Sequence, residues 1–304
     1  MGVTRVTPGL IVERVLTNLN AQARRILELQ EQLSSGLRVN RPSDDPIDAR
    51  RAVSIRQQIS ENEQFQSNIT DASPHLSESA SQLEIVVDLL QRANVLTLQG
   101  ANGTNNQLQL DTIALEINQL LETAVESANH QTNGRFIFGG TRTLREPFAA
   151  TRSPSGDISA VAYTGNQVNI EVEIATDLRV VINENGARAF QSSVDLFQTL
   201  IGIRDDLRAG NQANLSNTRL DELETARDQA LLSQSRIGAV QNRLEQVSAS
   251  TEDFVLQLRG VLADKIEADF ADVIVNLNSQ QNAYTAALNA ASRVIQPSLL
   301  DFLR

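Results

Sequence analysis

The chain has 304 residues and a formal net charge of −11, with 41% hydrophobic residues, only 4% aromatic residues and no cysteine. This acidic balance argues against binding to nucleic acids or to an anionic membrane surface, because both require a basic face. Without cysteine there is no disulfide framework, no thiolate metal site and no catalytic thiol. The N-terminus lacks the charged-then-apolar pattern of a cleavable signal peptide, so we expect any export to use another route.

Heptad spacing marks the first helical segment, which begins near residue 12. Its apolar residues recur at alternating intervals of three and four, and Gln22 is the one polar position in the series. This spacing is typical of a coiled-coil seam. The helix is predicted to end at Gly36, because glycine readily adopts the left-handed conformation that closes many helices.

An acidic pair lies in the segment that follows, residues 40–46, with the sequence NRPSDDP. Asp44 or Asp45 can cap a helix in which Pro46 is the first residue. The pair also permits a metal site, but the only further carboxylate nearby is Asp48. We therefore favour capping over metal binding.

Further helices are predicted between residues 46 and 134. The first is predicted to break or restart at Ser73-Pro74. A glycine-containing turn at residues 100–103 separates the next two runs. Because that turn is short, the helices on either side of it should pack antiparallel.

Residues 135–190 are predicted to form a β-rich insert. Aromatic and β-branched residues at 135–140 indicate a strand. Residues 168–174 and 178–182 alternate between apolar and polar with a period of two, which predicts a half-buried hairpin. Asn185-Gly186 is predicted to close this hairpin as a turn.

Helix is predicted to resume near Ser192, and the last helical run is predicted to extend to Gln296, before Pro297. Gly210-Asn211 interrupts the helix that begins near Ser192, and a second long helix is predicted to open near Ser216. The heptad pattern of this helix slips between Gly260 and Ile266, where we expect a bend or a domain joint.

The last fifty residues contain an uncharged helical stretch. Apolar or small residues keep helical spacing from Val255 to Ile295, with Gln281 filling the one gap, and residues 273–292 carry no charge. Its asparagines and glutamines would be costly in lipid, so it is not a membrane span. We favour packing on most sides, against copies of the same helix. The alternative is an ordinary surface helix, which should carry more charge on its outer face.

These patterns predict a mainly α fold with a β insert, arranged as an elongated molecule in three parts. Residues 1–45 and 261–304 would form a terminal coiled-coil inner domain. Residues 46–134 and 191–260 would form a helical rod domain. Residues 135–190 would form a small β-rich outer domain.

The terminal helices also supply the predicted assembly interface, because one chain cannot bury both of their apolar faces fully. The predicted interface residues are Val12, Val15, Leu19, Ile26, Leu29, Leu33, Leu262, Ile266, Phe270, Val273, Leu277, Tyr284, Leu288, Ile295, Leu299, Leu300, Phe302 and Leu303.

The sequence contains no recognisable motif for chemistry. His75 and His130 each lack a partner at metal-ligand spacing. The chain has neither a Gly-x-Ser-x-Gly elbow nor a phosphate-binding loop. Carboxylate pairs such as Asp205-Asp206 fall on solvated helical faces. We therefore predict no enzyme activity, no catalytic residue, no cofactor and no metal.

Segments at both ends of the chain resemble the bacterial flagellin family. Residues 33–49, where a heptad helix ends in Leu-Ser-Ser-Gly before the acidic pair, resemble the N-terminal region of that family. The segments 40–46, 134–141 and 147–148 are similar to those of the family members at the junction of hook and filament. The ending, residues 298–303, is closer to those members than to flagellin.

This resemblance implies a structural adaptor that assembles with copies of itself into a helical ring. Its neighbours would be the other hook-associated junction protein and flagellin. A flagellar export chaperone would assist secretion through the flagellar type III route to an extracellular position on the flagellum. The main alternative is a flagellin-type filament subunit. A coiled-coil chaperone, an enzyme and a phage-type fibre are less consistent with the sequence.

Overall fold

The computed structural model describes the backbone of residues 8–295 and, within that range, the side chains of residues 10 and 12–292. The chain forms two compact units. The terminal unit takes the described residues up to Glu61 and from Phe254 onward, and the central unit takes residues 62–253. The β-rich insert lies within the central unit, so a rod domain separate from an outer domain stays a prediction.

Helices dominate both units, which confirms the mainly α prediction. They are α1 (Pro8–Ser35), α2 (Pro46–Gly100), α3 (Gln107–Ala128), α4 (Gly186–Gln191), α5 (Leu196–Arg208), α6 (Gln212–Asn214), α7 (Leu220–Ile266) and α8 (Phe270–Ile295). A π-helical turn, Leu215–Arg219, leads into α7, so the long helix predicted from Ser216 is regular only from Leu220.

The β-rich insert contains three antiparallel pairs of strands among the described residues. The strands are β1 (Gln131–Thr132), β2 (Arg135–Phe136), β3 (Phe148–Arg152), β4 (Ile158–Tyr163), β5 (Glu171–Ala175) and β6 (Leu178–Val181). The hairpin of β5 and β6 confirms the period-two prediction. The strand predicted at residues 135–140 is shorter than expected, because β2 ends at Phe136.

The role predicted for Asn185-Gly186 is wrong. The turn between β5 and β6 includes Asp177, which has a left-handed φ of 58°. Asn185 instead caps α4, where its Oδ1 accepts a hydrogen bond from the backbone N–H of Ala187 at 2.9 Å. An asparagine before a helix can satisfy a free N–H group, and here that role replaces the hairpin turn.

The break predicted at Ser73-Pro74 is also wrong, because α2 runs through Pro74 without interruption. Proline removes one helical hydrogen bond and crowds the preceding turn. Ala72 and Leu76, on either side of it, are almost completely buried in the core of the central unit. This packing keeps α2 helical where the local sequence favours an end.

Aromatic rings join the insert to the helices of the central unit. The ring of Phe148, in β3, lies 5.1 Å from that of Tyr163 and 5.1 Å from that of Phe197, measured between centroids. It also meets Phe190 edge-on at 5.2 Å. Strands β3 and β4 therefore share one apolar core with α4 and α5.

His75 lies partly buried in α2 within the central unit. Burial lowers the pKa of its imidazole below the usual value, while a hydrogen bond to the backbone of Ile182 acts in the opposite direction. Among the described residues, its Nδ1 has no hydrogen-bond partner.

We expect His75 to make the chain less stable as the pH falls. The unfolded chain takes up the proton first as the pH falls through about 6.5, so the free energy of unfolding decreases toward the lower folded pKa. Urea unfolding between pH 7.5 and 5.5 should show this slope, and His75→Gln should reduce it. His130→Gln, which changes the other histidine, is the control. An unchanged slope in His75→Gln would contradict the prediction.

Candidate assembly interface

Helices α1 and α8 pack along each other in the terminal unit. The heptad positions of α1 form the less exposed stripe of that helix. Leu29 is 7% exposed. The other seam positions of α1 are half-buried, namely Val12, Val15, Leu19, Gln22, Ile26 and Leu33.

The stripe of α8 that is least exposed differs slightly from the predicted one. It consists of Val273, Leu277, Gln280, Tyr284, Ala287 and Ala291. Gln280 takes the position expected for Gln281, and Ala287 takes the position expected for Leu288. The intervals in this stripe alternate strictly between four and three, as in a heptad, whereas the predicted series took Gln281 and Leu288 in place of Gln280 and Ala287.

A joint of short hydrogen bonds holds the end of α1 beside the start of α8. Gly36 has a left-handed φ of 73° and ends α1 as predicted. Its carbonyl accepts a hydrogen bond from the N–H of Ala268 at 2.9 Å, and the N–H of Arg38 donates to the carbonyl of Ile266 at 2.7 Å. The expected joint near Gly260 therefore lies at residues 267–269, between α7 and α8.

The acidic pair, Asp44 and Asp45, accepts hydrogen bonds from backbone N–H groups in the segment that leads from this joint into α2. Asp45 Oδ1 accepts hydrogen bonds from the N–H groups of Ile47 at 3.1 Å and Asp48 at 3.0 Å. The bond from Asp48 is the main cause that lowers the pKa of the Asp45 carboxyl, although desolvation opposes it. Asp44 Oδ2 accepts from the N–H of Arg41 at 2.8 Å. Both carboxylates thus serve the backbone, as the capping prediction proposed.

Arg38 connects three segments of the joint. Its Nη2 donates to Asp48 Oδ2 at 2.6 Å and to the carbonyl of Lys265 at 2.6 Å. Val39, Ala52 and Ile266 form a small apolar cluster. Leu262, a predicted interface residue, packs against this cluster. Leu262 and Ile266 therefore contribute to the joint inside one chain.

Several large apolar side chains of α1 and α8 remain exposed. Of the predicted interface residues, Phe270 is 52% exposed and Leu288 is 44% exposed. The prediction missed Leu16, Leu27, Ile274 and Val275, which are also exposed. Because a water-exposed face of this kind often marks a contact with another protein, these residues extend the candidate interface. These four residues could have been found from the sequence, because they lie beside the seam positions of the two helices at helical spacing.

Some predicted interface residues cannot be placed. The side chain of Ile295 and residues Leu299, Leu300, Phe302 and Leu303 lie outside the described part of the chain. Within the described part, no helix is long and apolar enough to cross a membrane. The same residues contain no group of three side chains arranged to hold a metal ion.

The sequence is similar to those of known proteins. The sequence profile of the bacterial flagellin N-terminal helical region matches residues 11–143. Flagellar hook-associated protein 3 of Escherichia coli K12 is 25% identical over 91% of this chain and 92% of its own length. The Salmonella typhimurium LT2 protein of that name is 28% identical over 62% of this chain, and the alignment spans 57% of that protein.

The fold has a solved counterpart. A putative flagellar hook-associated protein from Vibrio parahaemolyticus superposes with a TM-score of 0.66 at 20% identity, covering 74% of this chain and all of that one. The matched residues include most of α1 with its heptad, the acidic pair Asp44-Asp45 and the segment that connects α1 to α2. Residues 11–143 therefore resemble the N-terminal helical region of bacterial flagellins, and the chain resembles flagellar hook-associated protein 3 over most of its length.

Proposed function

We propose that this chain is a structural adaptor of the bacterial flagellum, which joins the hook-associated region to the flagellin filament. The observation that carries the proposal is the exposed face of the charge-free stretch 273–292 in α8, which includes Ile274, Val275 and Leu288, in a chain that resembles hook-associated protein 3. Such a face is suited to packing against identical copies in a ring, because it introduces no charge that must be desolvated. The role is structural and not enzymatic.

The proposal includes specific neighbours. The other hook-associated junction protein would bind on the hook side, and flagellin would bind on the filament side. A flagellar export chaperone would hold the chain before secretion through the type III route to the extracellular flagellum. A flagellin-type filament subunit remains the second candidate, because that role needs the same terminal helices.

Deleting the gene in its host should separate these two candidates. If the chain is the junction adaptor, hooks should remain on the cells and flagellin should appear in the medium as monomer. Immunoblots of the medium and electron microscopy of the cells measure both results. Restoring the gene is the control. Filaments that still grow on intact hooks would contradict the junction role and favour a filament subunit.

A further inference from the structure

The seam between α1 and α8 is apolar except for one glutamine in each helix. Gln22 and Gln280 are both half-buried in that seam. The Oε1 atom of Gln22 is shielded from water and has no hydrogen-bond partner in the part of the chain that the structure describes. A shielded amide oxygen without a donor destabilises a seam, so a leucine at this position would be expected on grounds of stability alone.

The register of the two helices can be derived from their joint. Leu37 and Glu267 form an antiparallel bridge. Counting away from this bridge along both helices pairs each seam residue of α1 with a residue of α8 that lies at a matching number of positions from the bridge, to within one or two residues. The seven resulting layers are Leu33 with Phe270, Leu29 with Val273, Ile26 with Leu277, Gln22 with Gln280, Leu19 with Tyr284, Val15 with Ala287, and Val12 with Ala291.

This count places the two glutamines in the middle layer of the seam. If α8 slides by one heptad, most apolar residues still meet apolar residues, because the seam repeats every seven positions. The glutamines no longer face each other after such a slide, because Gln22 would then face Val273 or Ala287. Gln280 would face Val15 or Leu29 after the same slides. Each slipped register thus buries two separate amides against apolar side chains, which is unfavourable.

We propose that Gln22 and Gln280 are positioning residues that set the register of α1 against α8. A single polar layer in a heptad seam can specify register at a cost in stability. A slide of one heptad leaves the same stripe of α8 against α1, but it moves the exposed side chains, including Leu288, by about 10 Å along α1. The inference concerns the pairing of two helices in one chain, and it does not rest on the proposed function.

Cysteine reporters can test the register, because the natural chain has no cysteine. The pair Ile26→Cys with Leu277→Cys reports the observed register. The pairs Leu19→Cys with Leu277→Cys and Leu33→Cys with Leu277→Cys report slides of about one heptad. Such a slide moves the helices by about 10 Å, which is beyond the reach of a disulfide. Oxidation of dilute full-length chain, followed by mass spectrometry, counts intramolecular cross-links.

The expected result is a cross-link only in the first pair when both glutamines are present. The double variant Gln22→Leu with Gln280→Leu should lose this preference and also cross-link the two slipped pairs. Gln22→Asn with Gln280→Asn should keep the preference, because it retains a polar layer. The matched control is Gln30→Leu with Gln281→Leu, which makes the same changes at exposed positions of the two helices.

Cross-links confined to the first pair in the double leucine variant would overturn the inference. So would slipped cross-links that appear equally in the control. Circular dichroism should show undiminished helix in the leucine variant, since it adds apolar area to the seam. Because the cross-links are read in the single chain, they test the register whether or not gene deletion supports the junction role.

Discussion

Leu288→Asp is expected to prevent assembly while leaving the single chain folded. Leu288 is 44% exposed in the described chain and lies in the segment without charges. In the single chain the new carboxylate stays in water, so the free energy of unfolding should change by less than about 0.5 kcal/mol. In an assembled ring the same carboxylate would be buried without a partner, which costs about 3–5 kcal/mol. That penalty corresponds to a loss of at least a hundredfold in affinity for each contact.

Sedimentation and electron microscopy of the purified chain added to hooks would measure this loss, and thermal unfolding would check the fold. Leu144→Asp is the matched control, because Leu144 is an exposed leucine of the central unit, outside the predicted interface. Leu277→Asp should behave differently from both. Leu277 already packs in the seam with α1, so its replacement should also destabilise the single chain. If Leu288→Asp assembles normally, the face of α8 around Leu288 is not part of the assembly interface.

Phe148→Ala is expected to destabilise the central unit by about 3–5 kcal/mol. Phe148 is completely buried and touches three other aromatic rings. Its removal leaves a cavity where β3 and β4 meet the helices, and the rigid neighbours can close that cavity only in part. Urea unfolding followed by circular dichroism measures the change.

Phe254→Ala is the control for this core substitution. Phe254 lies in α7 and is 44% exposed, so its truncation should have a much smaller effect on stability. If Phe148→Ala and Phe254→Ala cost the same free energy, the aromatic cluster does not hold the insert to the helices. A small cost for Phe148→Ala alone would lead to the same conclusion.

The sequence was most informative where the structure depends on local spacing. The heptad of α1 predicted which of its residues form the seam, because a helix alone determines which side chains share a stripe. Gly36 ends α1 and Asp45 caps α2 for reasons that lie within a few residues of each. The alternation in β5 and β6 predicted their hairpin in the same way.

Sequence reasoning failed where local preference and packing disagree. Pro74 disfavours helix locally, but the buried neighbours Ala72 and Leu76 hold α2 continuous. Asn185-Gly186 has the composition of a turn, and only the position of α4 makes Asn185 a helix cap. In α8, the choice of Gln280 over Gln281 depends on where α1 lies, which periodicity within α8 cannot specify.

The sequence by itself thus determined the helical class, the seam of α1, the charge-free stretch of α8 and the resemblance to the flagellin family. The tertiary structure decided which residues of α8 face α1 and which remain exposed. The hydrogen bonds of Ala268 to Gly36 and of Arg38 to Ile266 hold the end of α1 beside the start of α8, and so bring together two helices that are far apart in sequence. Periodicity defines a stripe on one helix, but only contact between helices determines what that stripe meets.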